Sequence, residues 1–155
     1  MKFRLVDKIV DYSKGISITT RKAISFEEYS LLKPWGRKGA FPETLILQIA
    51  VESASLLLAV TSEFREICLL KEVVSASFQK QTKPGDILSG TVDIHKTDET
   101  HWYCKFKISA GQNEISKGIF VAETIPLHSC FYAEDYILLW KELIVSRKGA
   151  KTQRH

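Results

Sequence analysis

The feature that most constrains the fold is a long apolar stretch before the middle of the chain, which runs from Pro42 to Phe64 and reads PETLILQIAVESASLLLAVTSEF. It has no glycine and, after its first residue, no proline, and its apolar residues fall on nearly every side of a helix. Proline suits a first helical turn, and Glu43 complements the positive end of the helix dipole. Because a helix that is apolar all round has to be buried, we predict a central helix that the rest of the chain surrounds.

Strand patterns lie on both sides of this helix. Before it, β-branched and aromatic residues flank the turn Ser13-Lys14-Gly15, which predicts two antiparallel strands. After it, residues 101–108 alternate strictly between apolar and polar side chains, as expected of a strand with one buried face. Turn sequences at 83–86, 98–100 and 111–113 divide this half into three or four strands. The order predicts an α+β domain in which one antiparallel sheet wraps around one helix.

A second helix is predicted over residues 131–145, FYAEDYILLWKELIV, which contain neither glycine nor proline. Its apolar positions are more numerous than a solvent-facing helix needs, so we expect it to pack on the sheet or on a partner. The predicted organisation is therefore a domain over residues 1–127, a helical extension over 128–146 and a disordered basic tail over 147–155.

Charge and composition exclude several classes of protein. The net charge is +4, and the excess comes from the last ten residues, which carry Arg147, Lys148, Lys151 and Arg154 and no acid. The remaining chain is near neutral and lacks a basic stripe interleaved with aromatic residues, so nucleic-acid binding is not expected. There is no run of roughly 18 uninterrupted apolar residues and no signal-peptide pattern at the N-terminus. These observations predict a cytoplasmic protein that is not embedded in a membrane.

No metal or cofactor is expected from the sequence. The cysteines Cys68, Cys104 and Cys130 are odd in number and widely spaced, unlike a disulfide framework or a zinc site. His95 and His101 flank a predicted turn and could meet across it to bind a metal together with Asp98, but surface residues at a hairpin tip are the favoured interpretation.

Three segments carry a resemblance to a known family. They are Phe3–Val10 (FRLVDKIV), Phe41–Gln48 (FPETLILQ) and Lys83–Asp86 followed by Ile-Leu. In order and spacing, across about residues 3–127, they resemble the 3-hydroxyacyl-acyl-carrier-protein dehydratases, in which the second segment reads close to Met-Pro-Gly-Val-Leu-Ile-Leu-Glu. The resemblance implies a hotdog fold, a homodimer, and acyl groups carried as thioesters on acyl carrier protein or coenzyme A.

The same resemblance shows where the chain departs from the family. There, a His before the helix removes the proton next to the thioester carbonyl, and a Glu or Asp on the helix of the other subunit assists departure of the hydroxyl. Carried over without gaps, the histidine position is occupied by Pro34 and the carboxylate position by Gln48. Neither side chain titrates at neutral pH. The first histidine of the chain, His95, lies well beyond the helix.

Glu52, four residues after Gln48, shares a helix face with it and is the candidate substitute for the missing carboxylate. The expected substrate-binding residues are Trp35, Gly39, Phe41, Gln48 and Glu52. Three hypotheses remain open. The protein is a catalytically inactive relative that binds acyl chains or supports an active paralogue, or a thioesterase that uses Glu52, or a dehydratase with a relocated active site.

Overall fold

Six strands and two long helices make up the part of the chain that the structure describes. The structure, a computed structural model, describes residues 4–26 and 41–153, with side chains as far as Ile144. The elements are β1 (Lys8–Ser13), β2 (Ser17–Ala23), α1 (Glu43–Thr61), β3 (Glu66–Phe78), β4 (Ile87–Lys96), β5 (His101–Ala110), β6 (Asn113–Pro126), a short 3-10 helix (Leu127–Ser129) and α2 (Ala133–Gln153).

The strands form one antiparallel sheet in the order β1-β2-β4-β5-β6-β3. Strands β4, β5 and β6 follow one another as a meander, because the turns between them are short. Strand β3 follows α1 directly in the chain but lies at the far edge of the sheet, where Glu66 pairs with Pro126 and Phe78 with Ser116. The chain between β2 and β3 therefore crosses the sheet, and the predicted α+β hotdog fold is confirmed.

Helix α1 lies against the inner face of the sheet. Its residues Ile49, Ala54 and Leu57 are at most 1% exposed. The Ser53 hydroxyl meets that of Thr20 on β2 at 2.8 Å, so the polar atoms at this contact are satisfied. By length and composition α1 is also apolar enough to cross a membrane, but two thirds of it is buried inside the fold. It is the central helix that its sequence predicts.

The edge strand β3 lies very close to β6. A Cβ atom on Gly118 of β6 would lie 2.1 Å from the carbonyl oxygen of Ser75 and 2.9 Å from the Cα atom of Ala76. Glycine is therefore required where the two backbones approach, and the register of β3 shifts on either side of Val73. Five large apolar side chains of β3 remain exposed: Leu69, Leu70, Val73, Val74 and Phe78.

Helix α2 packs beside β1, as its apolar positions predict. Trp140 makes edge-to-face contacts with Tyr12 on β1, at a centroid distance of 5.2 Å, and with Phe64, at 6.0 Å. Phe64 has a left-handed backbone with φ 62°, which is uncommon for a bulky residue. The Arg4 guanidinium lies 3.2 Å from both carboxylate oxygens of Glu142. Contacts from three separate parts of the chain therefore hold α2 in place.

The bounds of α2 differ from those predicted. The helix begins at Ala133 rather than at residue 131. It continues past the predicted end at 145 to Gln153, and so into the segment 147–155 that is predicted from the sequence to be a disordered tail. Residues 145–153 contain no proline, and their alanine, arginine, glutamine and lysine residues are good helix formers, whereas Gly149 is a poor one. The division of the chain into three units stays a prediction.

Candidate functional site

The least buried face of α1 carries the two polar residues that the sequence singles out. Leu45, Gln48 and Glu52 follow one another at helical spacing on this face. The Gln48 amide donates a hydrogen bond of 2.9 Å to a carboxylate oxygen of Glu52. Gln48 is half-buried and Glu52 is exposed. The carboxylate is thus held in place by a neutral donor while the rest of it stays accessible to water or ligand.

A cavity of about 280 Å³ opens beside Glu52. It lies between α1, α2 and the segment that leads into β1. Leu5, Val6, Leu56, Leu139 and Leu143 give it apolar walls. Glu52 and Arg4 are its charged residues, and the Arg4 charge is matched by Glu142. An exposed carboxylate therefore stands next to an apolar recess.

A small polar cluster lies behind this cavity. Burial is the main reason that the pKa of the Cys68 thiol is raised to about 12. A hydrogen bond with Ser55 lowers this pKa, and the Glu52 charge raises it by a smaller amount. Burial likewise raises the pKa of the Tyr136 phenol, which also interacts with Ser55 and senses the Glu52 charge. Burial raises the pKa of Cys104 to about 12 as well. The raised pKa values keep the two thiols and the phenol protonated at neutral pH, and a thiol is a much weaker nucleophile than a thiolate.

Only some of the site residues predicted from the sequence lie together in the structure. Gln48 and Glu52 are in contact. The Phe41 side chain is 3% exposed and belongs to the core, while its backbone N–H donates to the Thr82 carbonyl. Pro34, Trp35 and Gly39 lie outside the described residues.

The hairpin between β4 and β5 has the geometry of a capped turn. One carboxylate oxygen of Asp98 accepts hydrogen bonds from the backbone N–H groups of Thr100 and His101, both at 2.8 Å, and lies 3.0 Å from the His101 ring. These contacts lower the pKa of Asp98 to about 2, and the hydrogen bond from the Thr100 backbone has the largest effect. His95 pairs with Tyr103 across the strands. One carboxylate oxygen of Asp98 is thus engaged in the turn.

Sequence reasoning missed the part of the site that α2 and the N-terminal segment contribute. Tyr136, Leu139 and Leu143 line the cavity from one side, and Leu5 and Val6 from another. The excess of apolar residues in the last helix predicts that this helix is packed, but it does not identify the elements that the helix contacts. Ser55 and Cys68 carried no signal, because each is an ordinary small residue in an apolar segment.

No family model matches the sequence. Solved structures that are similar share the fold at low sequence identity. One is the fluoroacetyl-CoA thioesterase FlK, with a TM-score of 0.64 and 14% identity, covering 77% of this chain and 92% of that one. Another is a Streptococcus mutans protein bound to acetyl CoA, with a TM-score of 0.60 and 14% identity, covering 77% and 88%. A third is the Escherichia coli PaaI protein, with a TM-score of 0.60 and 8% identity, covering 75% and 81%.

Curated relatives are similar in sequence as well. The 3-hydroxyacyl-[acyl-carrier-protein] dehydratase FabZ of Levilactobacillus brevis is 27% identical over 108 residues, which is 69% of this chain and 73% of that protein. The FabZ of Pseudoalteromonas translucida is 30% identical over 101 residues, which is 63% of this chain and 67% of that protein. With this identity over two thirds of a relative, and with the sheet and central helix of the hotdog fold, the chain belongs to the FabZ family of 3-hydroxyacyl-[acyl-carrier-protein] dehydratases.

Proposed function

We propose that this protein binds acyl groups carried as thioesters on coenzyme A or acyl carrier protein, along the face of α1 that carries Gln48 and Glu52. The observation that supports this most is the exposed Glu52 carboxylate beside an apolar cavity of about 280 Å³. A thioester has a reactive carbonyl carbon next to a hydrocarbon chain. The apolar cavity suits the chain, and the carboxylate can position a water molecule beside the carbon. FabZ relatives and an acetyl-CoA-bound structural neighbour agree with that ligand class.

Dehydration is not part of the proposal, because Gln48 occupies the position where the family has its helix carboxylate. Two roles remain for a bound thioester. The protein holds it without reaction, alone or in support of an active paralogue, or it hydrolyses it. The second role is favoured by the placement of Glu52, since its hydrogen bond with Gln48 orients a carboxylate without neutralising it.

Hydrolysis would use Glu52 as a general base. The carboxylate takes a proton from a water molecule while the water oxygen forms a bond to the thioester carbon. The tetrahedral intermediate collapses, the carbon–sulfur bond breaks, and the departing thiolate receives the proton from Glu52. The products are a carboxylic acid and the free thiol of the carrier, and the carboxylate is regenerated.

We expect Glu52→Gln to lower thioester hydrolysis by about 10² to 10⁴-fold, the usual contribution of a positioned base. The assay follows release of coenzyme A thiol from a series of acyl-CoA substrates. The exposed thiol of Cys130 reacts with the detection reagent as well, so its single equivalent is subtracted in a substrate-free blank. Glu99→Gln, on the exposed β4–β5 turn, is the matched control and should retain full activity.

Binding is measured separately, by calorimetry with non-hydrolysable thioether analogues of acyl-CoA. Binding without any hydrolysis by the wild type supports the non-catalytic role and eliminates the thioesterase. Hydrolysis that is equal in wild type and Glu52→Gln removes Glu52 from the mechanism. If neither acyl-CoA nor acyl carrier protein binds, the proposed function is wrong.

We also propose that two copies of the chain form a homodimer, edge to edge through β3. Leu69 and Val74, both 49% exposed, belong to a thirteen-residue strand at the edge of the sheet that the described strands form, and such an edge can pair with a second copy. An edge this long and apolar favours self-association unless it is covered. Pairing of the two β3 strands would also bring two copies of α1 close to each other.

We expect light scattering at micromolar concentration to give the mass of a dimer. The double variant Val73→Lys, Val74→Lys should shift the protein toward monomer, because charges on an edge strand oppose pairing. Ile16→Lys, on the exposed turn between β1 and β2, is the control and should remain dimeric. A wild-type protein that is monomeric under these conditions contradicts the dimer.

A further inference from the structure

The cavity beside Glu52 is walled on one side by the C-terminal helix α2. Leu139 and Leu143 of α2 face Leu56 of α1 and Val6 of the N-terminal segment across it. The position of α2 is fixed by Trp140 on Tyr12 and by the pair between Arg4 and Glu142. The recess is therefore a defined space between packed elements.

Two polar side chains at this cavity, Arg4 and Tyr136, already have partners, while the Glu52 carboxylate remains exposed. The Arg4 guanidinium is 3.2 Å from both oxygens of Glu142, and the Tyr136 phenol interacts with Ser55. Away from the Glu52 carboxylate, the leucine and valine walls do not offer the two to four polar partners that a water molecule inside a protein needs. An empty apolar space also forfeits dispersion contacts of the groups that line it. The space suits a flexible hydrocarbon.

We infer that this cavity receives the hydrocarbon part of the acyl group, and that α2 limits its length to a medium chain of about eight carbons. The inference rests on the proposed function, because it places the thioester carbonyl near Glu52 and directs the chain from there toward Leu139 and Leu143. A methylene group takes up about as much space as a water molecule, ~30 Å³, so a cavity of about 280 Å³ holds roughly eight or nine carbons.

The test fills the cavity from α2. Leu139→Trp places a larger side chain in the wall, and Leu138→Trp, at the neighbouring position with 63% exposure, is the matched control. Affinities of non-hydrolysable acetyl and octanoyl thioether analogues of coenzyme A are measured by calorimetry. In the wild type, each methylene that enters the cavity should tighten binding by about fourfold.

We expect Leu139→Trp to weaken the octanoyl analogue by at least tenfold while the acetyl analogue changes by less than about twofold. Leu138→Trp should change neither. Leu139→Ala enlarges the space and should improve binding of a dodecanoyl analogue relative to the octanoyl one, so the inference stays testable if the tryptophan variant does not fold.

The outcomes separate this inference from the function on which it rests. If the wild type binds acetyl and octanoyl analogues equally, or if Leu139→Trp weakens both alike, the acyl chain lies elsewhere and the inference is overturned while thioester binding stands. If the wild type binds neither analogue, the proposed function and the inference fail together.

Discussion

The wild-type protein is expected to dehydrate 3-hydroxyacyl thioesters at least about 100-fold more slowly than the FabZ enzymes of its family. Abstraction of the weakly acidic proton next to the thioester carbonyl needs a positioned base, which contributes typically about 10² to 10⁴-fold in rate. On α1, the Gln48 amide replaces the family's carboxylate. It donates a hydrogen bond to Glu52, but it is not an acid and cannot protonate a leaving hydroxyl. In the sequence, Pro34 occupies the position of the histidine.

The measurement follows the absorbance of the enoyl thioester with one short and one long 3-hydroxyacyl substrate. The double variant Pro34→His, Gln48→Glu restores both family residues, and Gln48→Glu alone is its control. We expect no more than a trace of activity from the double variant, because an error of about 1 Å in the position of the imidazole can lower the rate about 100-fold. Robust turnover by the wild type that survives Glu52→Ala would show that a group outside α1 performs a relocated dehydration.

Replacing Trp140 by alanine is expected to destabilise the protein by about 3–5 kcal/mol, as for other buried tryptophans. The side chain is 6% exposed and joins α2 to β1 through Tyr12 and to the end of α1 through Phe64. Its loss leaves a cavity among three elements and removes two aromatic contacts. One of these contacts is with Phe64, whose backbone is in the left-handed region.

Urea unfolding followed by circular dichroism measures this loss of stability, and in a thermal scan it corresponds to a decrease in Tm of roughly 6–20 °C. Leu138→Ala, at an exposed position of the same helix, should stay within about 0.5 kcal/mol of the wild type. A Trp140→Ala protein that loses less than about 1 kcal/mol would mean that α2 contributes little to the stability of the domain.

The fold followed from local patterns in the sequence. The uninterrupted stretch from Pro42 to Phe64 predicts the central helix, and strict alternation over residues 101–108 predicts β5. Both signals depend on neighbouring residues only. The place of β3 at the sheet edge could not be predicted in this way, because it depends on pairing with β6, whose residue Pro126 lies far along the chain from its partner Glu66.

The site was less accessible to sequence reasoning than the fold. Gln48 and Glu52 could be placed on one face because helical spacing is a local rule. The cavity beside them could not, since Val6, Leu56 and Leu139 come from three distant segments and meet only after packing. Each of these residues taken alone is an ordinary apolar residue.

The contact between the first and last segments of the chain also has a consequence for its synthesis. Tyr12 leaves the ribosome long before Trp140, and Arg4 long before Glu142, although each pair is in contact in the finished protein. Chain elongation proceeds at about 5–20 residues per second, and N-terminal parts begin to fold first. Tyr12 therefore remains without Trp140 for several seconds after it is synthesised, and the packing between β1 and α2 is completed only when that helix emerges.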